Sequence, residues 1–425
     1  MTAGTPIGTP LPGNRWDLLD EQWPEQPPSV SVIVAHYRQP EQLARTLAAL
    51  RVQDHPADRM QIIVADDGSP EPPAVPDGVD VVRHDDRGFR LAAVRNLGAA
   101  AARGDVLVFL DADTAPEPAF VRELTRLPAL APDCVTVGRR RHADLSGVDP
   151  SRLADEAARR ALPEPDWLAA EYRRTHDLLH ADDRSYRHVI GAVIACSRML
   201  FDATGGFDET FTTYGGEDWE WTYRAWLRGG LLAHVPTAVA WHDGPDAAGR
   251  DEGAVARRNA ETIRLSDLIP VAGSAGRGLR PSRTDIAVVA PPDASDGQRF
   301  LALDSAIAAL GPAAGRAAVL PGDSEPDAAF DRVRVVVELL RPVRIEADAD
   351  VLTAALARID GEGLGELTLR SPDGEPLVRM TSTRARARCE RWGRDDLFPT
   401  ASVTTAAMRV VTDEPDLAAY LGGWG

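Results

Sequence analysis

The 425-residue chain contains no lysine, so all 47 of its basic residues are arginine. That absence removes several classes of chemistry. A Walker A phosphate loop, a Schiff-base enzyme and a protein kinase each need a lysine at a set position. Cysteine is scarce as well. Cys134, Cys196 and Cys389 lie far apart, which fits neither a disulfide framework nor a zinc knuckle and points to buried thiols in a reducing compartment. Positive charge is in deficit: the formal net charge is -18. A nucleic-acid binder needs a basic face to replace counterions, so no nucleic-acid partner is expected. No apolar run approaches the length of a membrane span. The opening "MTAGTPIGTPLPGN" lacks the basic start and apolar core of a signal peptide. A cytoplasmic protein is expected, and both peripheral contact with a membrane and a homodimer are compatible with the sequence. A G-x-G-x-x-G turn after a strand is also missing, which argues against a dinucleotide oxidoreductase.

What is present is an ordinary globular composition, 44% hydrophobic and 26% charged, in a chain long enough for two domains. Residues 1–28, rich in Pro, Gly and Thr, read as a flexible or draped arm. From Ser29 strands and helices alternate. "SVSVIVAHY", "QIIVADDGS", "VDVVRH" and "GDVLVFLDAD" read as strands. "PEQLARTLAALRVQ", "LAAVRNLGAAAAR" and "PEPAFVRELTRL" read as helices. Such alternation predicts an α/β domain, a doubly wound layer with a parallel sheet. Residues 139–188 break the rhythm and read as an insertion over one edge. "HVIGAVIACSR" resumes as a strand, an acidic helix follows "GGED", and "LLAHVPTAVAWHDGP" closes with a strand ending at His242. The first domain is placed at 29–268 and a Gly/Ser/Pro linker at 269–284. A smaller α/β domain of unassigned role follows at 285–425.

Ligands of such sheets bind beyond the carboxyl ends of the strands. His36-Tyr37, Asp66-Asp67 and Asp111-Asp113 all lie at those ends, which predicts one polar crevice. The tripeptide Asp-Ala-Asp occurs twice, at 111–113 and 348–350. The second copy directly precedes a helical stretch, where Asp348 or Asp350 suits an N-cap. The first follows a buried strand, on the ligand side of the sheet. One or two carboxylates there could hold a divalent ion and leave positions for phosphate oxygens, and an imidazole from His242 tilts the choice toward manganese over magnesium. His234 reads as a structural histidine, Trp226 as helix packing, and Arg139–Arg141 as a solvated turn, with contact to the diphosphate or an acidic acceptor as the alternative.

The pieces "VSVIVAHYRQPEQLARTLAAL", "IIVADDGS", "RGFRLAAVRNLGAA" and "VFLDADT" resemble a family 2 glycosyltransferase of the GT-A fold. "GGFDETFTTYGGEDWEWTYR" with "AWHDGP" resembles the galactosyltransferase-type half of chondroitin polymerases and β-1,4-galactosyltransferases. The resemblance implies a nucleotide-sugar donor, a UDP-sugar by preference, with a glycan or small-molecule acceptor. It implies that Tyr37 flanks the uracil, that Asp67 accepts from the uracil N3–H and that Asp66 supports their turn. Arg90 and Asn96 would line the nucleotide pocket. Asp111 would meet the ribose or a manganese or magnesium ion, Asp113 would be the principal metal carboxylate, and His242 would complete the shell. Asp218 would be the catalytic base, with Glu217 orienting a sugar. The chain departs from the family at Arg38, where Asn is usual, and at Ala35, where some members place Thr. Two alternatives stay open: a non-catalytic sugar-binding scaffold and a nucleotidyltransferase. The second lacks the Gly-rich basic loop it would need after the first strand.

Overall fold

The computed structural model describes residues 6–149, 152–245, 254–321, 328–346 and 349–423. Two compact units emerge, Met1–Thr262 and Ile263–Gly425. In the first, the chain runs β1 (Val30–His36), α1 (Pro40–Leu50), β2 (Met60–Asp66), β3 (Val79–Arg83), α2 (Leu91–Ala101), β4 (Val106–Asp111), β5 (Thr114–Pro116) and α3 (Phe120–Leu130). It continues through β6 (Cys134–Ala143), α4 (Leu153–Ala157), β7 (Ala161–Leu162), α5 (Asp166–Thr175), β8 (Val193–Ser197), α6 (Arg198–Thr204), α7 (Glu217–Leu227) and β9 (Leu231–Asp243), with α8 (Ala254–Leu268) crossing the boundary.

Every residue of β1 is buried, as expected of a strand covered on both faces. It pairs in parallel with β2 and with β4, and β2 pairs in parallel with β3. This half is the parallel layer that the sequence rhythm predicts. The rest of the sheet, in the order β4-β8-β6-β9-β5, is mixed: β8 runs antiparallel to β4 and β6, and β5 antiparallel to β9. A parallel crossover takes a dozen residues or more. Only Ala112 and Asp113 separate β4 from β5, so β5 cannot lie parallel beside it and pairs instead with the end of β9.

The polar insertion expected from residue 139 starts later. Arg139, Arg140 and Arg141 are not a solvated turn but the middle of β6, paired with Val239–Trp241 of β9. Arg139 and Arg141 project to one side, where both bond Glu164, and the Arg141 guanidinium stacks 4.1 Å above the Trp241 ring. Their alkyl stems and paired charges let a strand form where the charge run alone suggests a loop. The N-terminal arm is draped on this unit. Leu11 and Leu19 are buried against Leu127, Cys134 and Leu231, and Asn14 exchanges hydrogen bonds with the backbone of Leu232.

The second unit holds β10 (Ile286–Val289), α9 (Asp296–Ala308), β11 (Ala317–Val319), β12 (Val335–Leu339), β13 (Val343–Ile345) and α10 (Val351–Glu362). β14 (Glu366–Arg370), β15 (Pro376–Ser382), α11 (Thr383–Trp392), β16 (Thr400–Thr404), β17 (Met408–Val410) and α12 (Leu417–Tyr420) complete it. One sheet has the order β11-β10-β12-β15-β14-β16, and β13 pairs with β17. Its core gathers Ile286, Val335, Val337, Leu352, Leu367 and Met380. Helix α9, which hydrophobic spacing alone does not announce, begins with a full Ser295–Gln298 capping box. Asp350 occupies the N-cap position of α10, but its side chain makes no capping hydrogen bond. Asp348 lies outside the described residues. The cysteines are free thiols, with Cys134 and Cys196 buried. Among the described residues no helix is long and apolar enough to cross a membrane.

Candidate active site

Register brings the first three strand ends level. His36 stands opposite Asp66 and Ala35 opposite Asp111, while Asp67 N–H and Ala112 N–H donate back to the carbonyls of His36 and Ala35. Asp66 is fully buried and builds the turn that follows it, accepting from Ser69 N–H and Ser69 Oγ, with His36 Nδ1 at 2.7 Å. Gly68 takes φ +81°, and a Cβ there would fall 2.3 Å from the Asp86 nitrogen, so only glycine lets the 85–86 segment close over the turn. Asp67 is buried too. It accepts from the Arg90 backbone N–H at 2.9 Å and sits 2.9 Å from His84 Nε2. Burial raises its carboxyl above the ordinary range, against the pull of those two partners. Arg90 thus meets Asp67 with its main chain rather than its guanidinium. Tyr37 is exposed, its hydroxyl donating to Asp86 and its ring 4.8 Å from the Arg38 guanidinium. Arg38 holds φ +55°, a left-handed conformation that costs most L-residues free energy.

The second cluster joins β4, β5 and β9. The antiparallel register puts Thr114 opposite His242, and the Asp243 N–H donates to the Asp113 carbonyl. Asp113 Oδ2 lies 3.6 Å from His242 Nε2 and accepts from Gln39 Nε2 at 3.1 Å. Burial raises the Asp113 carboxyl; the Asp111 charge adds to the rise and His242 opposes it. His242 Nδ1 faces the Gly244 carbonyl at 3.3 Å, so the tautomer with Nδ1–H leaves the Nε2 lone pair toward Asp113. Among the described residues no cluster of three or more His, Cys, Asp or Glu side chains is preassembled for a metal. Asp111 turns toward Arg95 and accepts from Nη2 at 2.8 Å.

The third cluster is the start of α7. Gly215 and Gly216 both take positive φ, and a Cβ on Gly215 would press to 2.9 Å from Glu261 Oε2. Glu217, Asp218 and Glu220 then fill the first helical turn, where negative charge suits the dipole. Asp218 is anchored at both oxygens, Oδ2 by the Gly191 N–H and Oδ1 by the Trp219 N–H, each at 2.8 Å. Glu217 is buried, its Oε1 accepting from Arg95 Nη1 at 2.9 Å while Oε2 has no partner among the described residues. Burial, then the neighbouring Asp218 charge, push the Glu217 carboxyl up to about 7. Asp218 is raised as well, again mainly by burial.

Arg95 connects the two acidic motifs, and sequence reasoning missed it. One guanidinium 1% exposed bonds Asp111 of "DAD" and Glu217 of "GGED". The signal was available: Ala92, Arg95 and Ala99 share the buried stripe of α2, and a charge on such a stripe calls for partners. Glu261, also missed, lies against Gly215 with its carboxyl pushed up to about 7 by burial and then by Asp218. Asn96 is brought near the crevice, but both ends of its amide are taken. Nδ2 donates to the Phe207 carbonyl and Oδ1 accepts from the Phe207 N–H, so it fixes the "GGFD" loop. Trp221 and Trp226 are buried and bond Thr204 and Asp183, while Trp219 is half-buried beside Tyr186. His234 is held by Asp177 and stacks on Tyr172.

Residues 31–203 match the model of glycosyl transferase family 2, and residues 178–240 match the N-terminal domain of galactosyltransferase. The first unit is a family 2 glycosyltransferase domain. Its mixed sheet, with acids at the ends of β2 and β4, is the α/β architecture expected of the GT-A fold. This glycosyltransferase domain is 30% identical over 265 residues to a chondroitin synthase of Escherichia coli, covering 57% of this chain and 38% of the relative. It is 28% identical over 265 residues to a hyaluronan synthase of Pasteurella multocida, covering 57% and 27%. The chain therefore spans well under half the length of these two relatives. Among solved structures, GalNAc-T7 with UDP, GalNAc and Mn2+ aligns at 21% identity and a TM-score of 0.39, over 52% of this chain and 44% of that one.

Proposed function

We propose that the chain transfers a sugar from a UDP-sugar to a hydroxyl of a glycan or small-molecule acceptor, with a divalent cation and with inversion at the anomeric carbon. The observation that carries this reading is the Arg95 bridge. One buried cation ties the acid of the donor motif to the acid of the acceptor motif, so both act in a single crevice.

The nucleotide side is Tyr37, Asp67 and the Arg90 backbone, with Tyr37 free to flank a base and Asp67 set to accept an imide N–H. Asp113 and His242 would hold the cation with one hard carboxylate and one borderline imidazole, a pair that suits manganese over magnesium. When bound, such a cation would neutralise the charge that develops on the departing diphosphate. Asp218 takes the proton of the acceptor hydroxyl; its two backbone hydrogen bonds fix the carboxylate, and its raised affinity for protons makes it a stronger base. Glu217 and Arg95 are positioning residues behind it. Tyr214, 62% exposed and packed edge-on to Phe89 at 5.9 Å, offers an aromatic wall for a sugar ring. One displacement with one base inverts the anomeric centre, so an α-linked donor yields a β-linked product.

The two Asp-Ala-Asp copies give the test. Asp113→Ala should abolish manganese-dependent UDP binding in calorimetry. Asp350→Ala should leave it intact and cost stability only a few tenths of a kcal/mol, the helix-dipole share, since Asp350 makes no capping bond. Normal manganese and UDP binding by Asp113→Ala would refute the metal assignment.

A further inference from the structure

Beside the crevice lies a cavity of about 390 Å³, walled by β6, β9, α5 and the segment after α5. It adjoins the catalytic groups on two sides. Ile190 lines it, and the next residue, Gly191, gives its N–H to Asp218. Arg140 lines it too, and its charge is felt both at Asp113 in the crevice and at Tyr172 in the cavity wall. We propose that this cavity is the acceptor subsite and that it takes an anionic sugar, one bearing a carboxylate or a phosphate. The proposal rests on the transferase reading above.

Three independent features support a ligand here. The first is an orphaned polar atom. His234 is 6% exposed; its Nδ1 lies 2.7 Å from Asp177 Oδ1 and its ring stacks on Tyr172 at 3.6 Å, while Nε2 has no partner among the described residues. Buried polar atoms are seldom left so. With Nδ1–H donated to Asp177, Nε2 is an acceptor suited to a sugar hydroxyl.

The second feature is backbone strain in the wall. His176, Asp177 and Leu178 hold φ of +51°, +56° and +68° in succession, although none is glycine. The run is pinned by hydrogen bonds from Asp177 N–H to the Tyr172 carbonyl and from His234 N–H to the Asp177 carbonyl. Strain kept in place this way gathers at ligand sites, and here it sets Asp177 on His234.

The third is charge. Arg139, Arg140 and Arg173 line the cavity against Glu164 and Asp177. Asp177 is engaged by His234, and Glu164 is shared between Arg139 and Arg141. The Arg173 guanidinium is exposed and makes no ion pair or hydrogen bond among the described residues. With both acids engaged by other groups, Arg173 is available to an anion in the cavity. A volume of about 390 Å³ accommodates one sugar ring with its substituents.

The test is equilibrium binding of three probes to the full chain, followed by saturation-transfer NMR and calorimetry: methyl β-glucuronide, glucose 6-phosphate and the neutral methyl β-glucoside. At least one anionic sugar should bind about tenfold more tightly than the neutral one, the contribution of a single charge-assisted hydrogen bond. The two anionic probes tell carboxylate from phosphate. Arg173→Gln, at an exposed helix end, should bring the anionic probe down to the neutral level, and Arg173→Lys should restore part of the difference. Equal binding of charged and neutral sugars, absence of binding by all three, or indifference to Arg173→Gln would overturn the proposal. UDP binding, measured on the same protein, reads the transferase assignment separately: its loss with the sugar result intact would leave an anionic-sugar site on a protein that is not a UDP-sugar enzyme.

Discussion

Asp218→Asn is expected to lower sugar transfer by a factor on the order of 10²–10⁴ while leaving UDP binding unchanged. The reasoning starts from the anchoring of this carboxylate. Two backbone N–H groups hold its oxygens, and burial raises its affinity for a proton. Asparagine keeps the shape but only one acceptor oxygen, so one of the two backbone N–H groups loses its partner, at a cost of about 1–3 kcal/mol; what the reaction loses is the group that takes the proton. If Asp218 were only a structural anchor, the change would show in stability and leave the rate nearly unaltered. Because the Asp218 carboxyl is raised, transfer should also climb with pH as it ionises. Glu217→Gln guards the choice of base. Near-wild-type transfer by Asp218→Asn with Glu217→Gln inactive would move the base by one residue, and activity in both would remove the motif from the chemistry.

The largest stability effect is expected at Arg95. Arg95→Met leaves Asp111 and Glu217 without their shared cation, and removing one partner of a buried pair costs about 3–5 kcal/mol. The pH dependence has a definite sign. Glu217 binds its proton more tightly in the folded protein, at about 7 against an ordinary 4.5. Its contribution therefore favours folding at pH below about 4.5 and is lost as pH rises through about 7. Without Arg95 that carboxyl is raised further. The deficit of Arg95→Met, read by urea unfolding, should thus be larger at pH 8 than at pH 5. A loss below about 1 kcal/mol, or one equal at both pH values, would show that the guanidinium is not the partner these acids depend on.

The parts of the fold that sequence made legible are those with one dominant signal. The apolar runs of β1, β2 and β4 and the amphipathic spacing of α1, α2 and α3 correspond to what the structure holds, and with them come three polar strand ends in one place, two of them acidic. Less legible were elements whose pattern carries a second message. In β6 three consecutive arginines hid a strand, because their partners Glu164 and Trp241 lie far along the chain. Strand β15 begins at Pro376 and carries Arg379 within it, so its alternation is faint. The antiparallel half of the sheet follows from where β5 and β8 can reach, which no local pattern encodes. In the site, motif residues were visible one by one, but Arg95 as their link was not. Asn96 and Arg90 stood in the right motif, yet whether an amide serves a loop or a ligand, or whether main chain or side chain makes the contact, is settled only by three-dimensional position.

The most direct test is UDP release from a panel of UDP-sugars, with a hydroxyl acceptor, in manganese and again after the metal is stripped with EDTA. The expected result is release from at least one UDP-sugar in manganese, with product formed in step, and its collapse in EDTA followed by recovery when manganese is restored. Turnover undiminished by EDTA, or no release from any UDP-sugar with manganese present, would contradict a metal-dependent transferase built on Asp113, His242 and Asp218.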